Sequence, residues 1–224
     1  MNIRQQLRWI AVIASAVLLI AVIALLVTGT NSTRTSVHQR VSAAACSAGS
    51  ADDTMPTAPP ADSEWKTLGA ITVPVSATYG PTKYNDDLWT CYRHDPMGAV
   101  LAAYDILAAA VSPQWRQVAE AQFVPGAGQH AYIAAGERQT IAPLQPGQVV
   151  QLVGFQISNY TPQEATVIVL STSGGSGQYQ ADERTVAWSG GDWKLMVSPD
   201  GSTGPDPQLV SSANGFILWG GGNG

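Results

Sequence analysis

The sequence predicts an α+β domain carried on an amino-terminal membrane span and a tether. Three observations predict it. An uncharged apolar run fills residues 9–27, helical periodicity dominates residues 96–123, and strand-like alternation takes over from residue 148. Helices first and strands afterwards is the order of an α+β fold with its helices on one sheet face.

The apolar run, WIAVIASAVLLIAVIALLV, contains no charge and one hydroxyl, Ser15. As a helix its 19 residues reach about 28 Å, close to the thickness of a bilayer core. Arg4 and Arg8 precede it, Arg34 and Arg40 follow it, and no acidic residue occurs before Asp52. The bias is modest and favours residues 1–8 in the cytoplasm, a transmembrane helix at 9–28 and everything later outside. A cleaved signal peptide has a shorter apolar core with a small-residue site directly after it, and LLVTGTNSTR offers a poor one. Cys46 lies too far beyond the run to be a lipid-attachment cysteine. The anchor is therefore expected to be retained.

Residues 29–63 are rich in Ser, Thr, Ala and Pro and nearly empty of large apolar side chains, which predicts a tether stiffened distally by Pro56, Pro59 and Pro60. Residues 64–95 change texture. Ile71, Val73 and Val75 alternate with Ala70, Thr72 and Pro74, and Pro74 excludes a central ladder position, so the segment reads as an edge strand or an extended arm lying across the domain. Trp65, Tyr79, Tyr84 and Trp89 exceed what a short arm needs. They either pack on the domain or supply an oligomer or partner interface.

The folded domain is placed at residues 96–220. Asp95 followed by Pro96 is a helix start, because the carboxylate accepts first-turn amides and the proline gives up an N–H that would go unpaired. Val100, Tyr104, Leu107 and Val111 recur at spacings of three and four and mark a core stripe, which Pro113 ends. Residues 114–123 form a second helix with Trp115, Val118 and Ala119 inward, and a short helix includes residues 131–135. Val149, Val153, Phe155 and Ile157 then mark one strand and residues 165–172 another. Val186 and Trp188 lead through Gly190 and Gly191 into Trp193 and Leu195 as a hairpin. Phe155, Trp188 and Trp193 are expected in the core. GFILWG is an apolar closing element, and residues 221–224 are a glycine-rich tail.

Little in the chain points to chemistry. The net charge is -5, and Lys and Arg are scattered singly, so the clustered basic face needed for direct nucleic-acid binding is missing. His38, His94 and His130 are far apart and no cysteine pair has short ligand spacing, which leaves no metal motif. His94, Asp95, Tyr104, Asp105, His130, Glu137, Asp182 and Glu183 could be recruited to a pocket for proton transfer. Their simpler roles are a cap for Asp95, core for Tyr104, solvated or packing histidines, and a solvent face for Asp182 and Glu183 beside Arg184. No phosphate loop or nucleophile elbow is present. The two cysteines, Cys46 and Cys91, permit one disulfide outside the membrane, with two separate thiols as the alternative. No catalysis and no cofactor are expected.

The soluble part also resembles a family of uncharacterised membrane-anchored proteins of actinobacterial integrative and conjugative elements. The likeness runs through TAPPADSEWKTLGAITVPVSATYGP (Pro60, Ala61, Trp65, Pro74, Val75, Ser76, Gly80, Pro81) and HDPMGAVLAA (His94, Pro96, Gly98, Ala99). It continues in PGAGQHAY, in GFQISNYTPQEATV (Gly154, Phe155, Tyr160, Thr161, Pro162), in TVAWSGGDWKL (Val186, Trp188, Gly191, Asp192, Trp193, Lys194, Leu195) and in GFILWG. The resemblance implies a nuclear transport factor 2-like cone. Span, tether and cone together are similar to the scaffold proteins of type IV secretion, whose external domain self-associates and contacts channel components without doing chemistry. That architecture implies a structural component of a conjugative DNA-transfer apparatus, with the membrane, copies of itself and other apparatus proteins as partners. An envelope domain binding a small ligand in the cone is the alternative.

Overall fold

Asp95 starts the first helix. Its side chain accepts a 2.7 Å hydrogen bond from the Gly98 N–H, and Pro96 opens the helix α1 (Pro96–Ala109). The computed structural model describes Cys46 and residues 52–139, 150–173 and 177–220, all within one compact unit, Ala45–Gly224. The expected cytoplasmic segment, the span at 9–28, most of the tether and the tail at 221–224 lie outside the described residues. Among the described residues no helix is long and apolar enough to cross a membrane.

Burial on α1 differs from the expected stripe. Val100 and Tyr104 are in the core, but so are Leu101, Ala102, Ala103 and Ile106, whereas Leu107 is half-buried and Val111, past the helix end, is 47% exposed. The helix is enclosed by a sheet, by a second helix and by amino-terminal hairpins. A helix covered nearly all round has no single apolar face to mark, and its alanines let the neighbours approach.

Two shorter helices follow, α2 (Trp115–Gln122) and α3 (Ala127–Gly136). Val118 and Ala119 are fully buried; Trp115, expected in the core, is half-buried against Tyr132 at 6.1 Å. A Cβ on Gly128 would overlap the carbonyl oxygens of Val197 and Ser198, so that glycine lets α3 meet the loop after the last long hairpin.

The sheet is antiparallel. Its strands are β5 (Val150–Thr161), β6 (Glu164–Ser173), β7 (Tyr179–Ser189), β8 (Asp192–Leu195), β9 (Gln208–Val210) and β10 (Ile217–Leu218). They run in the order β10-β5-β6-β7-β8, and β9 also pairs with β7. Register shifts in β5 at Leu152/Gly154 and Ile157/Asn159 bend the strand. Phe155, Val167, Val169, Val186, Trp193 and Leu195 face a core in which Trp219 lies 5.7 Å from Tyr104 and 5.1 Å from Phe155. The Tyr104 hydroxyl donates to the Gly154 carbonyl. Large side chains fill the space between α1 and the sheet.

The segment at 64–95, expected as an edge strand or an extended arm packing on the domain, forms two hairpins that pack on it. One joins β1 (Ser63–Leu68) to β2 (Ile71–Ser76), and the other joins β3 (Lys83–Asn85) to β4 (Leu88–Thr90). Tight turns make them: Gly69 takes φ 59 and Asp86 takes φ 49, backbone that glycine and aspartate tolerate best. β2, with Val73, Pro74, Val75 and Ser76 all buried, packs on α1 and beside β5 without joining its sheet.

The far end of the expected tether is also part of the domain. Pro60 is buried, and the Asp62 carboxylate accepts from Ser76 Oγ at 2.7 Å and from the Thr78 N–H at 2.9 Å. Further upstream the Tyr160 hydroxyl donates to Asp53 at 3.1 Å. Three prolines limit the unfolded freedom of this stretch, so a few polar contacts suffice to hold it.

Candidate functional site

Residues 91–95, Cys-Tyr-Arg-His-Asp, bring the chain's densest set of reactive side chains to the start of α1. Cys91 and Cys46 are joined by a disulfide, with S–S 2.11 Å and Cα–Cα 5.0 Å. Cys91 sits at φ 71, a left-handed conformation unusual for a residue with a Cβ. Its N–H donates to Asp192 Oδ2 at 2.8 Å. The N–H groups of Tyr92 and Trp193 donate to Oδ1, each at 3.0 Å. Asp192, at the β7–β8 turn, thus ties residues 91–92 to the sheet. Burial raises its carboxyl above the ordinary range, partly offset by the three amides.

Tyr92 and Asp105 form a second buried unit. The hydroxyl is 3.0 Å from Asp105 Oδ2, and the residues are 1% exposed each. Burial pushes both groups well above their usual values, and the hydrogen bond from Tyr92 partly offsets the rise at Asp105. Gln122 donates from Nε2 to the Trp89 carbonyl, and the Tyr92 hydroxyl lies 3.4 Å from that same oxygen.

The remaining three residues are also engaged. Arg93 Nε pairs with Asp95 Oδ2 at 2.8 Å, its guanidinium lies 5.5 Å from the Tyr79 ring, and its carbonyl accepts from Trp193 Nε1 at 2.9 Å. Burial raises the Asp95 carboxyl, against the pull of the Gly98 amide and the Arg93 charge. His94 stacks on Trp188 at 3.9 Å and 12°, meets Trp193 edge-on at 5.6 Å, and places Nε2 2.5 Å from the Pro162 carbonyl oxygen. Trp188, expected in the core, is half-buried because it forms the outer plate of this stack.

The other sequence candidates lie elsewhere. His130 and Glu137 line a shallow groove of about 410 Å³ between α2 and α3 with Arg116, which pairs with Glu137 and Glu120. Tyr104 is core. Asp182, expected on a solvent face, is instead buried at 8% exposure and paired at 3.1 Å with Arg184, itself 7% exposed, whereas Glu183 between them is exposed as expected. Strand alternation explains the difference, since residues 182 and 184 share a face with core Val186. Among the described residues no group of three or more His, Cys, Asp or Glu is placed to hold a metal ion.

Of the arm aromatics, Trp89 is buried and its Nε1 donates to the Asp86 carbonyl at 2.7 Å. Trp65 meets Trp219 edge-on at 6.3 Å, and Tyr79 packs against the core. Tyr84 alone of the four is largely open, at 46% exposure, with Lys66 Nζ 4.5 Å from its ring.

Sequence reasoning missed Asp192, Tyr160, Pro162 and the Tyr92–Asp105 pair. Their partners lie 13 to 107 residues away. For Asp192 the available signal was an acid at the end of a Gly-Gly hairpin turn opposite a cysteine-bearing segment. Chemically, the site joins elements through a disulfide, an ion pair and hydrogen bonds, while Asp105 Oδ1 and Gln122 Oε1 are buried with no hydrogen-bond partner among the described residues.

Comparison with curated proteins gives no match, and comparison with solved structures gives none. The sequence pattern of one family, described as a domain of unknown function (DUF8175), matches residues 27–218. With six-sevenths of its length covered, this chain belongs to the DUF8175 family.

Proposed function

We propose that this chain is a non-catalytic, membrane-anchored assembly component of a conjugative DNA-transfer apparatus, acting through protein contacts of a domain outside the membrane. The observation that carries the non-catalytic part is the site at 91–95. Each of its five residues contacts the chain outside the stretch, Cys91 with Cys46, Tyr92 with Asp105, Arg93 with Trp193, His94 with Pro162 and Asp95 with Gly98, so the stretch most suited to reactivity serves as a joint. The disulfide supports an oxidising, external compartment, and the uncharged run at 9–27 supports the anchor.

Helices packed on a bent antiparallel sheet support a nuclear transport factor 2-like cone, and the filled space beneath α1 favours a scaffold over a ligand receptor. The conjugative role rests on the resemblance carried by the quoted motifs, which is an argument by analogy. Chemical crosslinking and co-purification from membranes of cells carrying the complete mobile element test the proposal. Recovery with a membrane ATPase or channel subunits is expected. Recovery as a lone monomer carrying a small molecule would replace the proposal with the ligand-binding alternative.

A further inference from the structure

Residues 52–60, Asp-Asp-Thr-Met-Pro-Thr-Ala-Pro-Pro, run along the domain outside any helix or strand. Thr57 is exposed and lies at a bend between Pro56 and the Pro59–Pro60 pair. Its hydroxyl has no partner among the described residues. Other exposed threonines are engaged: Thr54 with Asp52, Thr78 with Asp62, and Thr161 with the Glu164 carbonyl. Thr67 and Thr72 are also exposed, but their backbone is fixed in the β1–β2 strand pairing rather than held in a proline-flanked strap.

The local chemistry suits an acceptor that must enter another protein's groove in extended form. Pro56 fixes its own φ, and Pro59 biases Ala58 away from helical backbone. The segment is therefore preorganised, and the ordering it must undergo on binding is reduced. The Cys46–Cys91 bridge restrains it upstream, and Asp62, bonded to Ser76 and Thr78, fixes it downstream. Threonine set among prolines in a Ser/Thr-rich stalk is also the composition of O-glycosylated stalks.

We propose that Thr57 is an O-glycosylation site, modified by a transferase that uses a glycosyl phosphate donor. Thr57 Oγ forms a bond to the anomeric carbon of the sugar. The bond from that carbon to the phosphate oxygen breaks, its electron pair leaves with the phosphate, and the hydroxyl proton passes to a base of the transferase. The attached sugar projects from the exposed side of the strap and shields a stretch in which Asp52, Asp53, Thr54 and Met55 are all exposed. The inference requires a donor and transferase in the same compartment but no particular assembly partner.

The test uses the full chain isolated from membranes of the cells that naturally make it, reduced, alkylated and cut with trypsin, which releases peptide 41–66 between Arg40 and Lys66. That peptide is expected to carry the added mass of one or more sugar units. The addition should vanish in Thr57→Ala and persist in Thr57→Ser. An unmodified peptide 41–66, or a sugar retained in Thr57→Ala, overturns the proposal. Glycosylation at Thr57 in a chain that co-purifies with no transfer component would leave this inference standing and remove the assembly role.

Discussion

Replacing Cys46 by serine opens the covalent loop that fastens the upstream chain to the start of α1. The bridge spans 45 residues, and closing a loop of that length lowers the unfolded-state entropy by an amount equivalent to about 4 kcal/mol at 25 °C. A chain of this size loses about 2–4 °C of Tm per kcal/mol, so Cys46→Ser should melt about 8–16 °C below the oxidised parent. Cys91 keeps its left-handed backbone in both proteins, and whatever strain φ 71 carries cancels in the comparison. Near-UV circular dichroism in detergent reads the transition, and the reduced parent should coincide with the variant. Limited proteolysis should cut first within residues 47–62. A Tm within about 2 °C of the parent would refute the reasoning, because it would show that the Asp62 and Asp53 contacts alone determine how the segment lies.

Three further outcomes follow from the packing. Asp105 has its carboxyl raised by burial; the stability this confers is complete below the unfolded carboxyl value of about 3.9 and is lost as pH rises through the folded value. Asp105→Asn should therefore flatten the fall in urea-unfolding stability as pH rises above the unfolded carboxyl value, and equal slopes in variant and parent would contradict a carboxyl raised by burial. Asp192→Ala strands three amide donors, those of Cys91, Tyr92 and Trp193, at about 1–3 kcal/mol each. Urea unfolding should show a loss of at least about 3 kcal/mol, with Asp192→Asn milder because it keeps one acceptor oxygen. Gly128→Ala forces α3 off the Val197 and Ser198 carbonyls and should lower stability by about 1–3 kcal/mol; an unchanged Tm would show that the loop yields freely.

Features written in local chemistry were legible in the sequence. Asp95–Pro96 marks a helix start because cap and first-turn proline act within four residues, and the Gly190–Gly191 hairpin with Trp188 opposite Trp193 follows from alternation. Features set by tertiary enclosure were not. Leu107, expected in the core, is half-buried and its neighbour Ile106 is fully buried because α1 is surrounded, and periodicity carries no information about a helix covered on several sides. Asp182 reads as solvated when charge is weighed before strand parity; counting back by twos from Val186 places it and Arg184 inward and leaves Glu183 outward. The arm became two hairpins because a single Gly69 and a single Asp86 each supply a left-handed turn residue, signals too brief to separate from loop.

At the site, the dense stretch at 91–95 was visible, but its meaning depended on residues far along the chain. Asp192 looked like a turn aspartate until its carboxylate was found beneath Cys91 and Tyr92. His94 and Cys91, close in sequence, have separate partners, Pro162 with Trp188 for the one and Cys46 for the other.

The account depends most on a bridged domain displayed beyond the membrane, and its disposition can be measured directly. Protease is added to intact cells stripped of their wall, and the released and retained fragments are identified by mass without reduction. The account predicts release of the folded domain with Cys46 still joined to Cys91, while the apolar run at 9–27 stays in the membrane fraction. A domain protected from external protease, with both cysteines as free thiols, would contradict it.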